Sequence, residues 1–345
     1  MNWFVTESPR PAWIARRSYA PWLVIATVCF GAFMGQLDAS IVTLAFPAMS
    51  AHFHADPEWI SLSYLITLVA LLVPMGRIAD RVGRKIVYIY GFALFTGASV
   101  ACVYAPGFDA LIAARVVQAV GAAMLQANSV ALVTTAVAPG QRRKALGVQA
   151  AAQAAGLAAG PLLGGYLTEN FGWQAVFAIN VPIGVVAMIA GHYLLPRTKT
   201  ARDKGKPTWQ VVPGLLGVLL TYAALFVPMT LLPFTMKQPL AHIGLTVAAL
   251  PLGFAIAATL LSRPGIRVGA LIAAIALVLP VPQVVQLIVA GIGLGIIAPA
   301  CTKRVMGALP EGSAGVGSGL VNVARGLGTA LGVAVATLLI NTFQW

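Results

Sequence analysis

Gly76-Arg77-Ile78-Ala79-Asp80-Arg81-Val82-Gly83-Arg84-Lys85 gathers four cations and one carboxylate into a short stretch. On either side run segments without a single charge, Ile60 to Met75 and Ile86 to Ala105. An apolar segment, a charged turn and a second apolar segment read as a helical hairpin whose turn lies at a membrane surface, because a helix needs about 20 apolar residues to cross a hydrocarbon core. The same alternation continues outward in both directions. Apolar spans are expected over Trp22 to Met49, Ile60 to Met75, Ile86 to Ala105, Phe108 to Ala136, Ala145 to Thr168 and Gln174 to Leu195. Five more follow over Trp209 to Thr235, Ala241 to Leu261, Ile266 to Leu279, Val284 to Cys301 and Ala314 to Phe343. The fold class expected is an all-α membrane protein, a polytopic bundle of about 11 transmembrane helices.

Composition agrees. Charged residues make up 9% of the 345 and hydrophobic ones 59%, where a soluble domain carries roughly 25% charge. This excludes an ordinary soluble fold. The net charge of +13 would suggest nucleic acid in a soluble protein, but its distribution suggests topology. Nineteen of the 22 Lys and Arg fall in alternate connections, among them Arg16, Arg17, Arg77, Arg142, Arg197, Arg267 and Lys303. Positive loops stay inside, so the N-terminus is expected in the cytoplasm, with lipid rather than nucleic acid as the partner. Cys29, Cys102 and Cys301 lie within spans and read as small hydrophobes. His52 and His54 are placed in an outer loop.

Four regions follow: a cytoplasmic tail over 1–21, a six-helix half over 22–195, a cytoplasmic linker over 196–208, and a second half of about five helices over 209–345. The ninth span, Ile266 to Leu279, would reach only about 21 Å of a core near 30 Å. Gly121, Pro139, Gly147 and Gly156 align at an offset near 170 with Gly293, Pro310, Gly317 and Gly326. This faint echo favours two pseudo-repeated halves.

An ionisable residue at bilayer depth costs about 2.5 to 3.5 kcal/mol on insertion scales and is a functional candidate by default. Asp38, Arg115 and Arg325 are three such residues. Residues 3, 4, 7 and 11 apart share a helix face, which groups Arg115, Gln118, Gln126 and Ser129 on the fourth span. The fifth carries Gln149 and Gln153 in line with glycines, and the eleventh carries Asn322, Arg325 and Thr329. Such stripes suit either a wet central cavity or helix-to-helix hydrogen bonding. Gln36 lies about 160° around the first helix from Asp38, so both would face one cavity only if that helix kinked. Gly156, Gly160 and Gly164 form a flat face for close helix approach, interrupted by Pro161 and followed by Gly165.

The Gly76 to Lys85 stretch resembles the cytoplasmic loop signature of the major facilitator superfamily. Arg115-Val-Val-Gln118-Ala119-Val-Gly121 is similar to that family's fourth-helix motif, with Ala119 where Gly is usual. Gly156 to Gly165 is similar to the fifth-helix signature of its proton-coupled exporters. Leu37 to Pro47 and Trp173 to Gly184 resemble the 14-helix drug:proton antiporter branch, with Thr43 where Asn is usual. The second half departs most: the two extra helices are absent, the second loop is reduced to Arg263-Pro-Gly-Ile-Arg267, and a twelfth core helix is missing.

The resemblance implies drug efflux: proton-coupled export of amphipathic or cationic small molecules by alternating access, without a cofactor, in the cell membrane and as a monomer. On that basis Asp38 is the expected proton and cation site, with Arg115, Gln118, Gln126, Gln153, Asn322 and Arg325 completing the proton and substrate site. Gly76, Asp80, Arg81, Gly83 and Arg84 form an inner gate, with Asp80 facing the start of the eleventh helix. Gly156, Gly160, Pro161, Gly164 and Gly165 shape the interface between halves, while Trp173 and Asn180 are assigned to packing. A metabolite facilitator or importer, or a truncated binding protein without transport, remains an alternative. No metalloprotease, hydrolase or phosphate-loop motif points to an enzyme, and no metal site is expected.

Overall fold

A computed structural model describes residues 10–198, 209–261, 265–278, 280–309 and 314–343. Most of the linker, with Lys199, Arg202, Lys204 and Lys206, and also Arg263, lies outside them. Apart from the four-residue helices Ala12–Ala15 and Ala175–Ala178, the first six helices are α1 (Ala20–Phe53), α2 (Glu58–Val82), α3 (Arg84–Val103), α4 (Phe108–Ala136), α5 (Arg142–Phe171) and α6 (Asn180–Leu194). The second series comprises α7 (Val212–Thr235), α8 (Leu240–Leu260), α9 (Ile266–Val278), α10 (Gln283–Gly307) and α11 (Ala314–Phe343). With their flanking turns, ten of these are long and apolar enough to cross a membrane. In α9 the helix has 13 residues, and its Leu271, Ile275 and Val278 are exposed.

Helices dominate because backbone amides in hydrocarbon can be satisfied only within the segment. The first helix runs further than its apolar core suggests, so His52 and Phe53 lie in its last turn rather than in a loop. His54 ends it in the left-handed region, at φ 52°. Phe53 packs against Trp173 at 5.2 Å and Phe108 at 5.9 Å between ring centroids. The charged turn is sharper still. Gly83 alone separates α2 from α3, at φ 118°, a conformation that side chains with a Cβ rarely adopt. Gly76, in contrast, is an ordinary helical residue of α2 whose Cβ position would meet the Ala127 methyl only at 4.0 Å, an unstrained contact.

The repeat is written in the packing. In the first half α1 packs on α5, α1 on α4, α2 on α4 and α3 on α4. In the second, α7 packs on α11, α7 on α10, α8 on α10 and α9 on α10. Adding six to each helix number converts the first set into the second. The two most extensive contacts between the halves obey the same rule, α5 lying against α8 and α11 against α2, and α1 meets its own counterpart α7. The bundle is therefore two pseudo-repeated halves, as its faint glycine spacing suggested.

Small residues set the closest approaches. A methyl group at Gly156 would collide with the Phe33 carbonyl oxygen, and one at Gly160 with the Ser40 hydroxyl. Gly164 lies over Ile41 and Leu44. All of these neighbours belong to α1, so this glycine face serves the interior of the first half rather than the interface between halves. That interface uses the opposite side of the kinked helix: the Pro161 carbonyl lies against Gly244 and Gly165 against the Leu240 carbonyl, both on α8. We expect Gly156→Val to lower the thermal unfolding temperature of the purified protein by several degrees, since α1 and α5 must separate. Gly97→Ala, with open space around it, should change stability by no more than about 1 kcal/mol, in the stabilising direction.

Candidate functional site

The polar residues of the spans assemble into two sites rather than one. The first is sealed inside the first half. Asp38 on α1 has no exposed surface and Arg115 on α4 has 1%. Arg115 donates through Nη1 to Asp38 Oδ2 at 2.7 Å and through Nε to the Ile60 carbonyl at 3.1 Å. It also donates to Gln118 Oε1 one turn along α4. The other carboxylate oxygen, Oδ1, accepts from Gln118 Nε2 at 3.2 Å and from Asn180 Nδ2 at 3.0 Å. Gln118 Nε2 further donates to Ser99 Oγ at 2.8 Å. The guanidinium stacks 4.1 Å from the centre of the Tyr64 ring and 5.5 Å from that of Phe177.

A buried ion pair is tolerable only when hydrogen bonds satisfy what remains of both partners. This one ties α1 to α4 directly and to α6 through Asn180. Two polar atoms at its edge, Tyr64 Oη and Asn180 Oδ1, are buried without a partner. Asn180, assigned to packing from sequence, is thus a direct ligand of the carboxylate. Its signal was present but silent, because a single amide at a helix start does not reveal which helix it faces.

The second site is a cavity of about 500 Å³ between the halves. Leu146, Gly147 and Gln153 of α5, Tyr222 of α7, Phe254 and Thr259 of α8, Thr302, Lys303 and Met306 of α10, and Arg325 of α11 line it, together with Gln36 of α1. A recess of about 210 Å³, sharing Gln153 and Arg325, adds Gln149 and Asn322. Gln126 and Ser129 line a smaller pocket beside Gln36 and Gln153. The lining at the start of α5 and the ends of α8 and α10 places the mouth at the cation-rich end of the bundle. At the opposite end α5 and α8 are closed on each other, and Glu169 Oε2 accepts from the Ala241 backbone amide at 2.7 Å.

Helical phase on an unbroken α1 decides the division. Asp38 turns into the first half while Gln36 turns into the cavity, so Asp38 is not a wall residue and cannot contact a cationic substrate in this conformation. Arg115 and Gln118 are likewise withdrawn from the cavity, because their partners are buried inside the first half, on α1, α2 and α3. Gln126, Gln153, Asn322 and Arg325 line the cavity or its recesses, as their stripes suggested. Arg325 Nη1 donates to Gln153 Oε1 at 3.0 Å, bridging the two halves.

At the charged turn, Arg84 Nη2 meets Asp80 Oδ1 at 2.9 Å across Gly83. Asp80 therefore has a partner within its own hairpin here, while the residues preceding Ala314 that sequence set against it lie outside the described ones. The Arg84 backbone amide donates to Thr198 Oγ1 at 2.9 Å, and the buried Lys85 Nζ to the Leu195 carbonyl at 2.8 Å. The hairpin is thereby fastened to the end of α6. Arg81 is exposed. No group of three metal-ligating side chains occurs among the described residues.

Residues 28–344 match the family model described as Major Facilitator Superfamily. The chain belongs to that superfamily. It is a family of membrane transporters, not enzymes. Among curated proteins, the chain is 35% identical to the riboflavin transporter RibZ of Clostridioides difficile over 198 residues, covering 56% of this chain and 43% of the relative. It is also 35% identical to the tetracenomycin C resistance and export protein of Streptomyces glaucescens, covering 53% and 34%. The cephamycin export protein CmcT of Amycolatopsis lactamdurans is 35% identical, covering 67% and 46%. The chain thus spans about a third to a half of the length of these relatives. A solved bacterial homologue of the human lysosomal transporter Spinster, in an inward-facing and occupied conformation, superposes with a TM-score of 0.74 at 18% identity, covering 95% of this chain and 83% of that one. That likeness shows the fold.

Arg115→Leu should destabilise the superfamily protein by about 3–5 kcal/mol, because it strands the Asp38 carboxylate in a dry interior. Combining it with Asp38→Asn should cost less than the sum of the two single changes, a coupling that thermal denaturation of the four variants measures directly.

Proposed function

We propose that the chain is a secondary active transporter that exports amphipathic small molecules by alternating access, driven by protons that bind at Asp38. One observation carries this reading: a single helix, α1, presents a sealed carboxylate on one face and the cavity residue Gln36 on another. Charge at Asp38 can therefore act on the cavity through the position of α1, without contact between proton and substrate. The names of two relatives as resistance and export proteins support the outward direction. The positive-inside rule supports placing the cation-rich end, and with it the cavity mouth, in the cytoplasm of a cell-membrane protein.

The chemistry is a proton transfer and a change of partners. A proton on either Asp38 oxygen removes the charge that Arg115 requires, and the hydroxyl then competes as a donor with the amides of Gln118 and Asn180. The hold of α4 and α6 on α1 weakens. Because Gly156 and Gly160 seat α5 against the α1 backbone, α5 follows α1. The far side of α5 carries Pro161, Gly165 and Glu169, the groups that close the outer end against α8. Movement there changes the hold of α5 on α8 at the outer end: the substrate-loaded, unprotonated chain opens outward, Asp38 takes its proton from the outside, and the protonated chain returns to the conformation open at the cavity mouth, where the proton leaves to the cytoplasm. A second reading, uptake or facilitation of a metabolite, is favoured by the riboflavin transporter among the relatives.

Flux from protein-containing vesicles separates these readings. With a panel of amphipathic dyes and riboflavin loaded on the cavity-mouth side, we expect outward flux of at least one compound to rise with an opposing proton gradient. It should fall to the protein-free background in Asp38→Asn. Flux that ignores the gradient, or that survives Asp38→Asn unchanged, refutes proton coupling through Asp38. Riboflavin moving toward the cavity-mouth side supports the second reading.

A further inference from the structure

We infer that the cavity recognises organic anions, through a subsite between α5 and α11 that binds a carboxylate or sulfonate. This rests on the cavity being the substrate site and adds the substrate's charge. The lining of the cavity and of its recess contains two cations, Arg325 and Lys303, and no Asp or Glu. The carboxylate that sequence offered for cation selection, Asp38, is sealed elsewhere and already matched by Arg115. A cationic substrate would therefore enter a wall of its own sign without a counter-charge, which an apolar, poorly hydrated cavity penalises strongly.

Arg325 is poised for an anion. Its guanidinium donates one hydrogen bond to the neutral amide of Gln153 and stacks 5.6 Å from the centre of the Tyr222 ring. Both ion pairs among the described residues lie elsewhere. Its Nε is buried without a hydrogen-bond acceptor, and so is Nε2 of Gln149, a residue 97% buried by its 3% exposure. Both residues line the same recess, with Asn322 and Thr302. Unsatisfied donors and a guanidinium without a carboxylate partner converging on one recess suit acceptor oxygens that carry negative charge. The rest of the ligand is defined by the adjoining wall, where Tyr222 and Phe254 meet edge to face at 5.9 Å beside Leu157 and Ala258. That wall suits an aromatic or aliphatic body, and the exposed Lys303 stands beside it to draw the anion in.

The test uses three probes with one apolar body: 2-naphthylacetate, 2-naphthylacetamide and (2-naphthylmethyl)trimethylammonium. Binding to the purified full chain is measured by calorimetry, and flux of the same probes in vesicles. The acetate should bind at least about tenfold more tightly than the amide, a difference of one well-placed charge interaction, with the ammonium weaker than both. Arg325→Gln should bring the ratio of acetate to amide affinity to about one, and Arg325→Lys should restore part of it. If Arg325→Gln does not fold, Gln149→Leu and Lys303→Gln carry the test, each lowering that ratio several-fold. Equal or tighter binding of the ammonium, no binding of the acetate, or a ratio unchanged in the variants overturns the inference. Flux that prefers the ammonium refutes anion recognition and leaves transport standing. Selective acetate binding without any flux does the reverse.

Discussion

The ion pair between Asp38 and Arg115 is the constraint on which the rest of the first half depends. Two charges removed from water lose several kcal/mol each in hydration, and their mutual attraction offsets this only with close geometry and satisfied neighbours. Here Gln118, Asn180 and the Ile60 carbonyl complete the set. Four helices, α1, α2, α4 and α6, must be in register for it to form, so the pair reports on the arrangement of the whole half. Such an element can switch. Removing one charge by protonation converts the strongest tie in the interior into a weakness, without disturbing the apolar packing around it.

The cavity depends on the same pair indirectly. Because Asp38 is occupied inside the first half, it leaves the wall between the halves to neutral amides and to the cations of the second half. Proton site and substrate site are then distinct. The link between them is mechanical, through the close seating of α5 on α1 and the contact of α5 with α8 at the closed end. A transporter arranged in this way does not need proton and substrate to compete for one carboxylate. It needs one helix pair whose two positions favour opposite charge states of a buried acid.

Much of this was legible in the sequence, for physical reasons that differ by element. Hydropathy located α1 to α11, ten of them because lipid demands long uninterrupted apolar segments, and flagged the ninth as short. Alternating cations marked the two ends, and the positive φ of Gly83 follows from a turn too tight for another residue. Intramembrane charge singled out Asp38, Arg115 and Arg325, since each is expensive unless partnered. What sequence could not supply was direction across helices. Helical phase put Arg115 and Gln118 on one stripe with Gln126, yet the stripe spans both a sealed interior and an open wall. The Gly156 to Gly164 face announced a close neighbour without naming it, and α1 proved to be that neighbour rather than the second half. Asn180 carried no periodic pattern at all. Lys303 read as a topogenic charge and Tyr222 stood out in no pattern; both acquire meaning only from what the fold brings opposite them.

The central claim is that charge at Asp38 sets the contact between α5 and α8 at the closed end. Spin labels at Asn170→Cys and His242→Cys, both exposed positions on those helices, in a chain whose three native cysteines are replaced, measure that contact as a distance by pulsed electron resonance. The account predicts a distribution that shifts to shorter distance on acidification, and an Asp38→Asn chain held at the shorter distance at every pH. An Asp38→Asn chain that keeps the full pH response, or an unsubstituted chain that shows none, contradicts it.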